Sequence, residues 1–579
     1  MKKLFIPLIL IMMVSGMSGQ SVKPGNDFLK WWQDARFGMF IHWGPVTRFG
    51  GEISWSREKY GKSKYDSLYL GFNPVKFNPA GWVALANKAG MKYMILTAKH
   101  HDGFCMFNTS TTTYNIMNSP FHRDVCKELA DAAHSAGMPV GWYYSPAEWK
   151  DPDCRDPKNN GLYAKRVLEQ VRELLTNYGK ISLLWIDYEG SPCPCNPADI
   201  YNLAKKLQPG IIIDNRLDVF HPDESHCYVG PHGDYATPEG FVAGYGSIPW
   251  ETCTNLGHQW AWKINDTPRD MSEAATTLLR CVGGNGNLLL NVGPDSLGQI
   301  PKSFQDRLIQ LGEWLKPRAQ SVYNTKGGPY TPSNDYVCCY NNKTMYLNIM
   351  SMKGDTITLP PLPAKILDAT LLSGKKVRFI QQDKSVKVII PSTDREKIAT
   401  LITITTNQPL NQLSLIIPFS TSGSLAYGCK AIASSSLGQF LHDPSAAFDD
   451  NPKTCWKLGR KNGADFSAYY GKFLSYRSKE IEPLYNDSGW IEADLGKPQT
   501  VKSIYLSEFI TLNSEINGFE VKYEKDGKWI TVASGIKMGE WRQNITPVTA
   551  RKFRLFILKK EGFSGIKEFQ LFANNLSNN

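Results

Sequence analysis

The chain has 579 residues, too many for one hydrophobic core, and its length predicts about two to four domains. Its formal charge of +11 is spread along the sequence and forms no basic block with interleaved aromatics, which argues against nucleic-acid binding. The chain is rich in aromatic residues, with 16 Trp, 26 Tyr and 26 Phe, a level that fits either stacking on sugars or large β-rich cores.

The N-terminus has the pattern of a secretory signal peptide. Lys2-Lys3 precede an apolar stretch from Leu4 to Val14, and small residues follow up to Gly19. We therefore expect residues 1–19 to be a signal peptide and the mature protein to be exported, either periplasmic or secreted. No later stretch is long and apolar enough to predict a membrane span. Three of the 12 cysteines fall in apolar segments and are expected to be buried thiols: Cys105, Cys126 and Cys281.

Helical patterns and short buried-strand patterns alternate over residues 27–320. The predicted helices are Trp82–Ala89, Asp124–Ala136, Val167–Tyr178, Ala198–Leu207 and Met271–Val282. The predicted strands are Phe37–His42, Tyr93–Thr97, Pro139–Ser145, Ile181–Ile186, Gly210–Asp214 and Asn287–Gly293. Repeated βα units predict an α/β fold, a (β/α)8-like TIM barrel, for residues 20–323.

Polar side chains follow several of these strands. The mostly apolar stretch from Ile181 to Ile186 runs directly into Asp187, and the strand from Gly210 leads to Arg216. The carboxyl ends of parallel strands lie at one edge of a sheet, and chemistry in parallel α/β folds sits at that edge. We therefore expect the following polar residues to line one pocket: His42, His100, His101, Tyr144, Asp187 and Arg216.

The remainder of the chain is predicted to be all-β. Short alternating strands at Met345–Met350, Thr356–Leu359, Val386–Ile390 and Leu413–Ile417 predict an antiparallel β-sandwich over residues 324–419. The segment 420–425 is rich in Ser and Gly and is predicted to be a linker. Residues 426–579 form a further predicted β-sandwich module.

The strand-end motifs resemble those of the glycoside hydrolase family 29 α-L-fucosidases. The five matching stretches, in order along the chain, are Arg36–Gly44, Thr97–Phe104, Trp142–Ser145, Leu184–Asp187 and Asn285–Pro294. The resemblance implies an exported retaining exo-α-L-fucosidase that hydrolyses terminal α-L-fucosyl residues by double displacement. Its substrates would be fucosylated oligosaccharides or glycoconjugates, and catalysis would need no cofactor.

The same resemblance implies roles for two carboxylates. Asp187 matches the family nucleophile, two residues after Trp185. Glu239, in a Thr-x-Glu segment, is assigned as the acid/base, with Glu251 of the following Trp-Glu pair as the alternative. A third nearby acid, Glu189, is expected to point elsewhere. Retention requires the two carboxyl groups to lie about 5–5.5 Å apart, with one ionised and the other protonated.

The fucose pocket implied by the family needs neutral donors and acceptors for the hydroxyls and an apolar wall for the methyl group. His42, His100 and His101 match the histidines that hold the hydroxyls, because a neutral imidazole offers one donor and one acceptor. Adjacent His100 and His101 could instead suggest a metal site, but no second ligand cluster stands at a familiar metal spacing. The remaining predicted substrate-binding residues are Tyr144, Trp185, Arg216 and Trp55.

The C-terminal module resembles the discoidin-type (coagulation factor 5/8 C) family, which includes modules of the carbohydrate-binding family 32 kind. The matching stretches are Ala447–Trp456, Trp490–Gly496 and Ile566–Phe569. The family implies binding of galactose-type glycans and a structural calcium site. Four side chains match that site: Asp449, Asp450, Thr454 and Glu568. Oxygen-rich side chains are the ligands that calcium prefers.

Two other functions fit the same sequence. An α-L-galactosidase would differ only at the methyl wall, because L-galactose is L-fucose with an added 6-hydroxyl and an apolar pocket rejects such a group only modestly. A non-catalytic glycan-binding protein would keep the pocket without turnover. The presence of both Asp187 and Glu239 argues against that third possibility.

Overall fold

The structure is a computed structural model that describes residues 27–576, apart from 155, 157, 188–194, 219–228, 243, 438–441, 453, 462–484, 511–514 and 563. The predicted signal peptide and Glu189 lie outside the described residues. The described chain contains a parallel sheet with helices, then two groups of antiparallel strands. None of the helices in the described part is long and apolar enough to span a bilayer.

The N-terminal α/β region is built around a curled parallel sheet. Its strands, in chain order, are β1 Phe37–Ile41, β2 Met94–Lys99, β3 Val140–Tyr144, β4 Leu183–Ile186, β5 Ile212–Ile213, β6 Glu251–Asn255 and β7 Asn287–Val292. They are hydrogen-bonded in the order β5-β4-β3-β2-β1-β7-β6. Nearly every residue of these strands is buried, which explains the apolar sequences of most of them. The exception is β6, which is polar although it is almost entirely buried.

Helices separate most of these strands. They are α1 Asp27–Ala35, α2 Arg57–Tyr60, α3 Lys62–Asp66, α4 Pro79–Ala89, α5 Val125–Ser135, α6 Asn160–Thr176, α7 Pro197–Leu207, α8 Met271–Gly283 and α9 Lys302–Leu315. Helix α4 shows why such segments form: Asn78 Oδ1 accepts a bond from Gly81 N at 2.9 Å, and Gly90 ends the helix with a positive φ. Helix α6 begins seven residues before the predicted Val167, at Asn160.

One segment between β5 and β6 touches both of these strands. Tyr235 forms a parallel bridge with Asp214 after β5, Ala236 forms one with Trp250, and Glu239 forms one with Cys253 of β6. The segment therefore lies between the two edges of the parallel sheet. This position brings Glu239 to the same part of the fold as the residues that follow β5.

The second group of strands covers residues 326–406 and forms two antiparallel sheets. One sheet has the order β12-β15-β10-β9-β8 and the other β11-β14-β13. The strands are β8 Lys326–Gly327, β9 Tyr336–Asn341, β10 Thr344–Ile349, β11 Thr356–Leu359, β12 Ile366–Leu371, β13 Arg378–Gln382, β14 Ser385–Ile389 and β15 Thr400–Thr406.

The predicted strand at Leu413–Ile417 is wrong. Within it, only Ile416 forms a bridge, to Tyr330, and both Leu415 and Ile417 are substantially exposed. Prolines at 409 and 418 flank this segment. Because proline cannot donate a backbone hydrogen bond, the flanking prolines limit the pairing of this segment, which does not extend beyond the single bridge at Ile416.

The C-terminal region forms an antiparallel sheet in the order β16-β17-β20-β18-β19, with β21 pairing with β18 and β22 with β17. Its strands are β16 Lys430–Ala433, β17 Gly489–Phe509, β18 Glu515–Lys525, β19 Lys528–Lys537, β20 Glu540–Ile557, β21 Lys560–Glu561 and β22 Gly565–Phe572. Its own hydrophobic core is centred on buried aromatics such as Trp456, Phe519 and Phe553. The predicted buried thiols Cys105, Cys126 and Cys281 are all buried.

Candidate active site

Asp187 lies directly after β4, at the carboxyl edge of the parallel sheet, as the sequence predicts. Its side chain is 14% exposed and contacts three different residues. Tyr143 Oη donates to Asp187 Oδ2 at 2.6 Å, His101 Nε2 lies 3.4 Å from the same oxygen, and Arg216 Nη1 donates to Oδ1 at 3.3 Å. The carboxylate is therefore held in place and still reaches the surface of the pocket.

The electrostatic setting of Asp187 keeps it ionised. Burial by itself raises the pKa of its carboxyl, because removing water penalises the charged form. The hydrogen bond from His101 and the positive charge of Arg216 outweigh burial and hold the pKa of Asp187 well below its usual value. An ionised carboxylate is the form that a nucleophile at an anomeric carbon requires.

Arg216 connects the two carboxylates that the sequence singles out. Its Nη2 donates to Glu239 Oε2 at 2.8 Å, while its Nη1 contacts Asp187. The guanidinium also packs over the Trp185 ring, with Cζ 4.5 Å from the ring centroid. The structure thus brings Asp187, Arg216, Trp185 and Glu239 together, and the Glu239 side chain is 32% exposed.

Glu251 lies in a different part of the fold. It is the first residue of β6 and is fully buried, and it accepts hydrogen bonds from Trp32 Nε1 at 3.2 Å and from Tyr93 Oη. Burial raises the pKa of Glu251 to about 7. The start of a parallel strand is at the opposite edge of the sheet from Asp187, so this geometry does not support the alternative acid/base assignment.

The three histidines converge beside Asp187. His100 and His101 rings lie 4.3 Å apart, and the His42 and His100 rings lie 5.8 Å apart. Burial lowers the pKa of His42 to about 4 and that of His100 well below its usual value, so both are neutral near pH 7. Neutral imidazoles suit recognition of sugar hydroxyls.

The tautomer of His42 follows from its neighbours. Asn291 Nδ2 donates to Asn255 Oδ1 at 2.7 Å and to the Trp260 carbonyl at 2.8 Å, so its Oδ1 is an acceptor. His42 Nδ1 lies 2.8 Å from that oxygen and therefore carries the hydrogen. In the neutral ring this leaves Nε2 as the acceptor that can receive a bond from a substrate hydroxyl.

The same region could be read as a metal site, because ligand atoms of His100, His101 and Asp187 lie within 4.8 Å of one another. The outer nitrogens of both imidazoles contact serines: His100 Nδ1 lies 2.6 Å from Ser54 Oγ, and His101 Nδ1 lies 2.7 Å from Ser145 Oγ. Arg216 already supplies positive charge at Asp187. This arrangement favours hydrogen bonding to a sugar over binding of a second cation.

The prediction that Tyr144 lines the pocket is corrected by the structure. Its hydroxyl donates to Gln170 Oε1 at 2.7 Å and lies near Lys99, within a fully buried polar group behind the sheet. Successive residues of a strand point to opposite faces, and Tyr143, one residue earlier, occupies the pocket side. Tyr143 pairs with Trp185 in the β3–β4 register and stacks on it at 5.4 Å.

Two tryptophans near the pocket were not predicted from the sequence. The ring of Trp260 lies 4.8 Å from His42, and its backbone N–H donates to Glu52 Oε2 at 2.7 Å. Trp149 stacks on His101 at 5.3 Å and contacts Trp55, which is 55% exposed. Both tryptophans lie in loops, so no helix or strand periodicity in the sequence marks them. Only the folded structure shows that they lie beside the pocket histidines.

A parallel sheet whose carboxyl edge presents paired carboxylates, neutral histidines and stacking aromatics defines a glycoside hydrolase. The profile of the α-L-fucosidase family matches residues 18–320, and that of the F5/8 type C domain matches residues 430–569. The chain therefore belongs to the α-L-fucosidase family.

Individual proteins similar to this chain are also α-L-fucosidases. Tissue α-L-fucosidase of Macaca fascicularis is 30% identical over 326 residues, covering 51% of this chain and 69% of that protein. The structure of α-L-fucosidase isoenzyme 1 from Paenibacillus thiaminolyticus is 31% identical, with a TM-score of 0.60, and covers 66% of this chain and 99% of that one. A Bacteroides thetaiotaomicron α-L-fucosidase trapped as a covalent intermediate shares the fold at 22% identity, with a TM-score of 0.60 over 66% of this chain and 95% of that one.

Proposed function

We propose that this protein is a retaining exo-α-L-fucosidase in which Asp187 is the nucleophile and Glu239 the acid/base. The observation that carries the proposal is that Arg216 hydrogen-bonds both carboxylates, at 3.3 Å and 2.8 Å, beside three converging histidines. The site is completed by segment 235–239 between β5 and β6, and we propose that this segment closes the parallel sheet into a (β/α)8-like barrel.

In the first step Asp187 attacks the anomeric carbon while Glu239 protonates the departing glycosidic oxygen. The low pKa of Asp187 keeps it ionised for this attack. In the second step Glu239 takes a proton from water, which displaces Asp187 and restores the configuration of the substrate. His42 accepts a bond from a sugar hydroxyl through Nε2, and Trp185, Tyr143 and Trp260 form the aromatic walls.

Trapping tests the nucleophile assignment. A 2-fluoro-fucosyl fluoride should glycosylate Asp187 with loss of fluoride. The 2-fluoro group slows both steps, but the good fluoride leaving group keeps formation of the intermediate faster than its hydrolysis, so the intermediate accumulates. Mass spectrometry of proteolytic peptides should place the label on Asp187. A label on Glu189, or on any other carboxylate, would contradict the assignment.

Rescue tests the acid/base assignment. Glu239→Ala should lose about 100- to 10,000-fold in turnover of substrates with poor leaving groups, and much less where the leaving group needs no proton. With an activated fucoside, whose first step needs no proton, azide should restore turnover by attacking the covalent intermediate in place of water, which gives the retained α-fucosyl azide. Glu251→Ala is the matched control, and if it showed this behaviour while Glu239→Ala did not, the roles would have to be exchanged.

We further propose that the chain is exported, on the basis of the pattern in residues 1–19, and that the C-terminal module binds galactose-type glycans and a structural calcium ion. Hydrogen bonds link the proposed calcium residues in pairs: Thr454 Oγ1 donates to Asp449 Oδ2 at 2.8 Å, and Gln570 Nε2 donates to both Asp450 and Glu568 at 3.2 Å. Their oxygen-rich donor set fits a hard cation.

A further inference from the structure

Three consecutive residues after β5 connect the elements that carry the two proposed catalytic carboxylates. Asp214 Oδ1 accepts a hydrogen bond at 2.9 Å from the backbone N–H of Ile186, the residue before Asp187. Asn215 Oδ1 accepts a bond at 2.8 Å from Thr237 Oγ1, two residues before Glu239. Arg216 then contacts both carboxylates. One short segment therefore joins the nucleophile strand to the acid/base segment.

Asp214 acts where the β4–β5 ladder ends. The last paired residues of that ladder are Leu184 and Ile213, and the chain then turns into the short 3-10 helix Asn215–Leu217. The Asp214 side chain, which is 0% exposed, supplies the acceptor for the Ile186 N–H beyond this point. It fixes the end of β4 immediately before the nucleophile and lets the backbone carry Arg216 into the pocket.

Thr237 lies in the segment that carries Glu239, the second proposed catalytic carboxylate. Its buried hydroxyl donates to Asn215 Oδ1 and accepts from Arg216 Nε at 2.9 Å, and its carbonyl accepts from Arg216 Nη2 at 3.2 Å. On the β6 side, backbone hydrogen bonds hold the same segment: Glu251 N–H donates to the Ala236 carbonyl at 2.9 Å and Cys253 N–H to the Pro238 carbonyl at 3.1 Å. The bonds at Thr237 hold the side of the segment that faces Arg216, and so they help to set how closely Glu239 approaches Arg216 and Asp187.

We propose that Asp214 and Thr237 are positioning residues that set the working separation of the two carboxyl groups, Asp214 through Asp187 and Thr237 through Glu239. This inference rests on the proposed function, and the two residues that it names take no part in the bond-making and bond-breaking steps of that reaction. Retaining hydrolysis requires a short separation, about 5–5.5 Å, and a misplacement of about 1 Å can cost about 100-fold in rate.

The first experiment compares Asp214→Asn with Asp214→Ala. Asparagine keeps an oxygen that can accept the Ile186 N–H, and it resembles the neutral acid that burial favours by raising the pKa of Asp214. Asp214→Asn should retain kcat within about 3-fold, whereas Asp214→Ala should lose about 10- to 100-fold. Because the nucleophile is misplaced, the loss should be equal for aryl fucosides with good and poor leaving groups.

The second experiment compares Thr237→Val with Thr237→Ser. Valine has nearly the shape of threonine but lacks the hydroxyl, while serine keeps it. Thr237→Val should lose about 10- to 100-fold on poor leaving groups and little on activated ones, because protonation by Glu239 is impaired. Thr237→Ser should restore the wild-type dependence on the leaving group.

The dependence of activity on the leaving group separates a positioning role from a merely structural one. A residue with only a structural role would lower the melting temperature without producing the uniform loss expected for Asp214→Ala or the selective loss on poor leaving groups expected for Thr237→Val. If Asp214→Ala does not fold, Asp214→Glu, which displaces the carboxyl by one methylene group, should show the same uniform loss. The proposal is overturned if Asp214→Asn is as damaged as Asp214→Ala, if Asp214→Asn shifts the acid limb of kcat/KM, or if Thr237→Val loses activity equally on all leaving groups. Fluoro-sugar labelling of Asp187 in these variants shows separately whether the proposed nucleophile is correct.

Discussion

Two groups of carboxylates in this molecule have opposite electrostatic settings. At the carboxyl edge of the parallel sheet, Arg216 and His101 contact Asp187 and hold its pKa well below the usual value although it is shielded from water. In the C-terminal module, burial first and then mutual repulsion raise the pKa of Glu568 to about 8, and burial raises that of Asp449 to about 7. Asp450 of the same group differs: burial raises its pKa, but hydrogen bonds from Ser422, Ser420 and Thr421 outweigh burial and lower it.

The two groups differ in the side chains that contact them. In the α/β region, His101 and Arg216 contact Asp187, so that its carboxyl is ionised. The donors that contact the second group in the described residues are hydroxyl and amide groups, including Thr454 and Gln570. Shielded carboxylates of this kind either take up protons or bind a cation from solution. We therefore propose that the same residue types serve nucleophilic catalysis in one region and a metal site in the other.

The largest expected effect comes from removing an acid of the first group. Asp187→Gly should lower turnover by at least about 10,000-fold with the fold unchanged, because no covalent intermediate can form. Added azide should occupy the space of the lost carboxylate and give the inverted β-fucosyl azide from an activated fucoside. Asp449→Asn is the control from the second group and should turn over small substrates normally. Equal losses in both variants would contradict the separation of roles.

Removing Arg216 should move the first group towards the behaviour of the second. In Arg216→Met one of the groups that lower the pKa of Asp187 is lost while the contact with His101 remains, so the pKa of Asp187 rises. A carboxylate with a depressed pKa stays ionised until the pH falls through that value, so the acid limb of kcat/KM should move to higher pH. We expect a loss of about 100-fold at neutral pH.

Arg554 offers a control for this experiment. It is stacked between Trp490 and Trp529 in the C-terminal module and pairs with Glu492 at 2.7 Å. Arg554→Met should leave the pH profile unchanged. An unshifted acid limb in Arg216→Met would show that Arg216 does not set the ionisation of Asp187.

The sequence predicted the position of Asp187 at the end of a buried strand, because an apolar strand followed by an acid is a local pattern. Its role as nucleophile stays a prediction. Tyr143 was missed because choosing between adjacent tyrosines needs the register with Trp185, which local sequence does not contain. Glu251 stayed an alternative because β6 reads Glu-Thr-Cys-Thr-Asn and has no apolar run to mark it as a strand. Only the fold shows that Glu251 begins this strand and lies at the far edge.

The overall α/β pattern was predictable for the same reason, since helix and strand periodicities are local. The strand β5, Ile212–Ile213, lies within the predicted strand Gly210–Asp214, but the bridges of Tyr235, Ala236 and Glu239 were not predicted. These contacts depend on long-range pairing, and they are what places Glu239 beside Arg216. The acid/base assignment therefore needed the resemblance to a family, and the contacts between side chains needed the structure.

The second group should respond to calcium and to pH. In metal-free protein, the folded-state pKa values of about 7 for Asp449 and about 8 for Glu568 exceed their unfolded values. Their contribution to stability is present at low pH and is lost as pH rises through these values. The melting temperature of the module should therefore fall between about pH 5 and pH 8.

Calcium should reverse this loss, and more strongly at higher pH, because its ligands must be deprotonated. At 100 times the dissociation constant, binding adds about 2.7 kcal/mol to the free energy of unfolding. Calorimetry with calcium and with a chelator measures both effects, and Asp449→Asn should abolish the calcium response. A chelator that leaves the melting temperature unchanged at pH 8 would contradict the calcium proposal.

The smallest expected effect on chemistry comes from deleting residues 424–579, which removes the second carboxylate group with its module. The pocket residues all belong to the α/β region, so kcat for a small aryl fucoside should change by less than about 2-fold, as for other changes remote from a site. Leu437 and Tyr485 of the module belong to the same hydrophobic cluster as core residues of the α/β region. The truncated protein should therefore melt at a lower temperature.

Large glycans should respond differently from the small substrate. A bound module raises the effective concentration of a multivalent substrate at the active site without touching its chemistry. Deletion should raise KM on such glycans and leave kcat nearly unchanged. Leu437→Asn in the full chain is the control, since it weakens the packing but keeps the module. If the folded truncation loses turnover of the small fucoside, the module contributes to the active site and the two regions are not functionally separate.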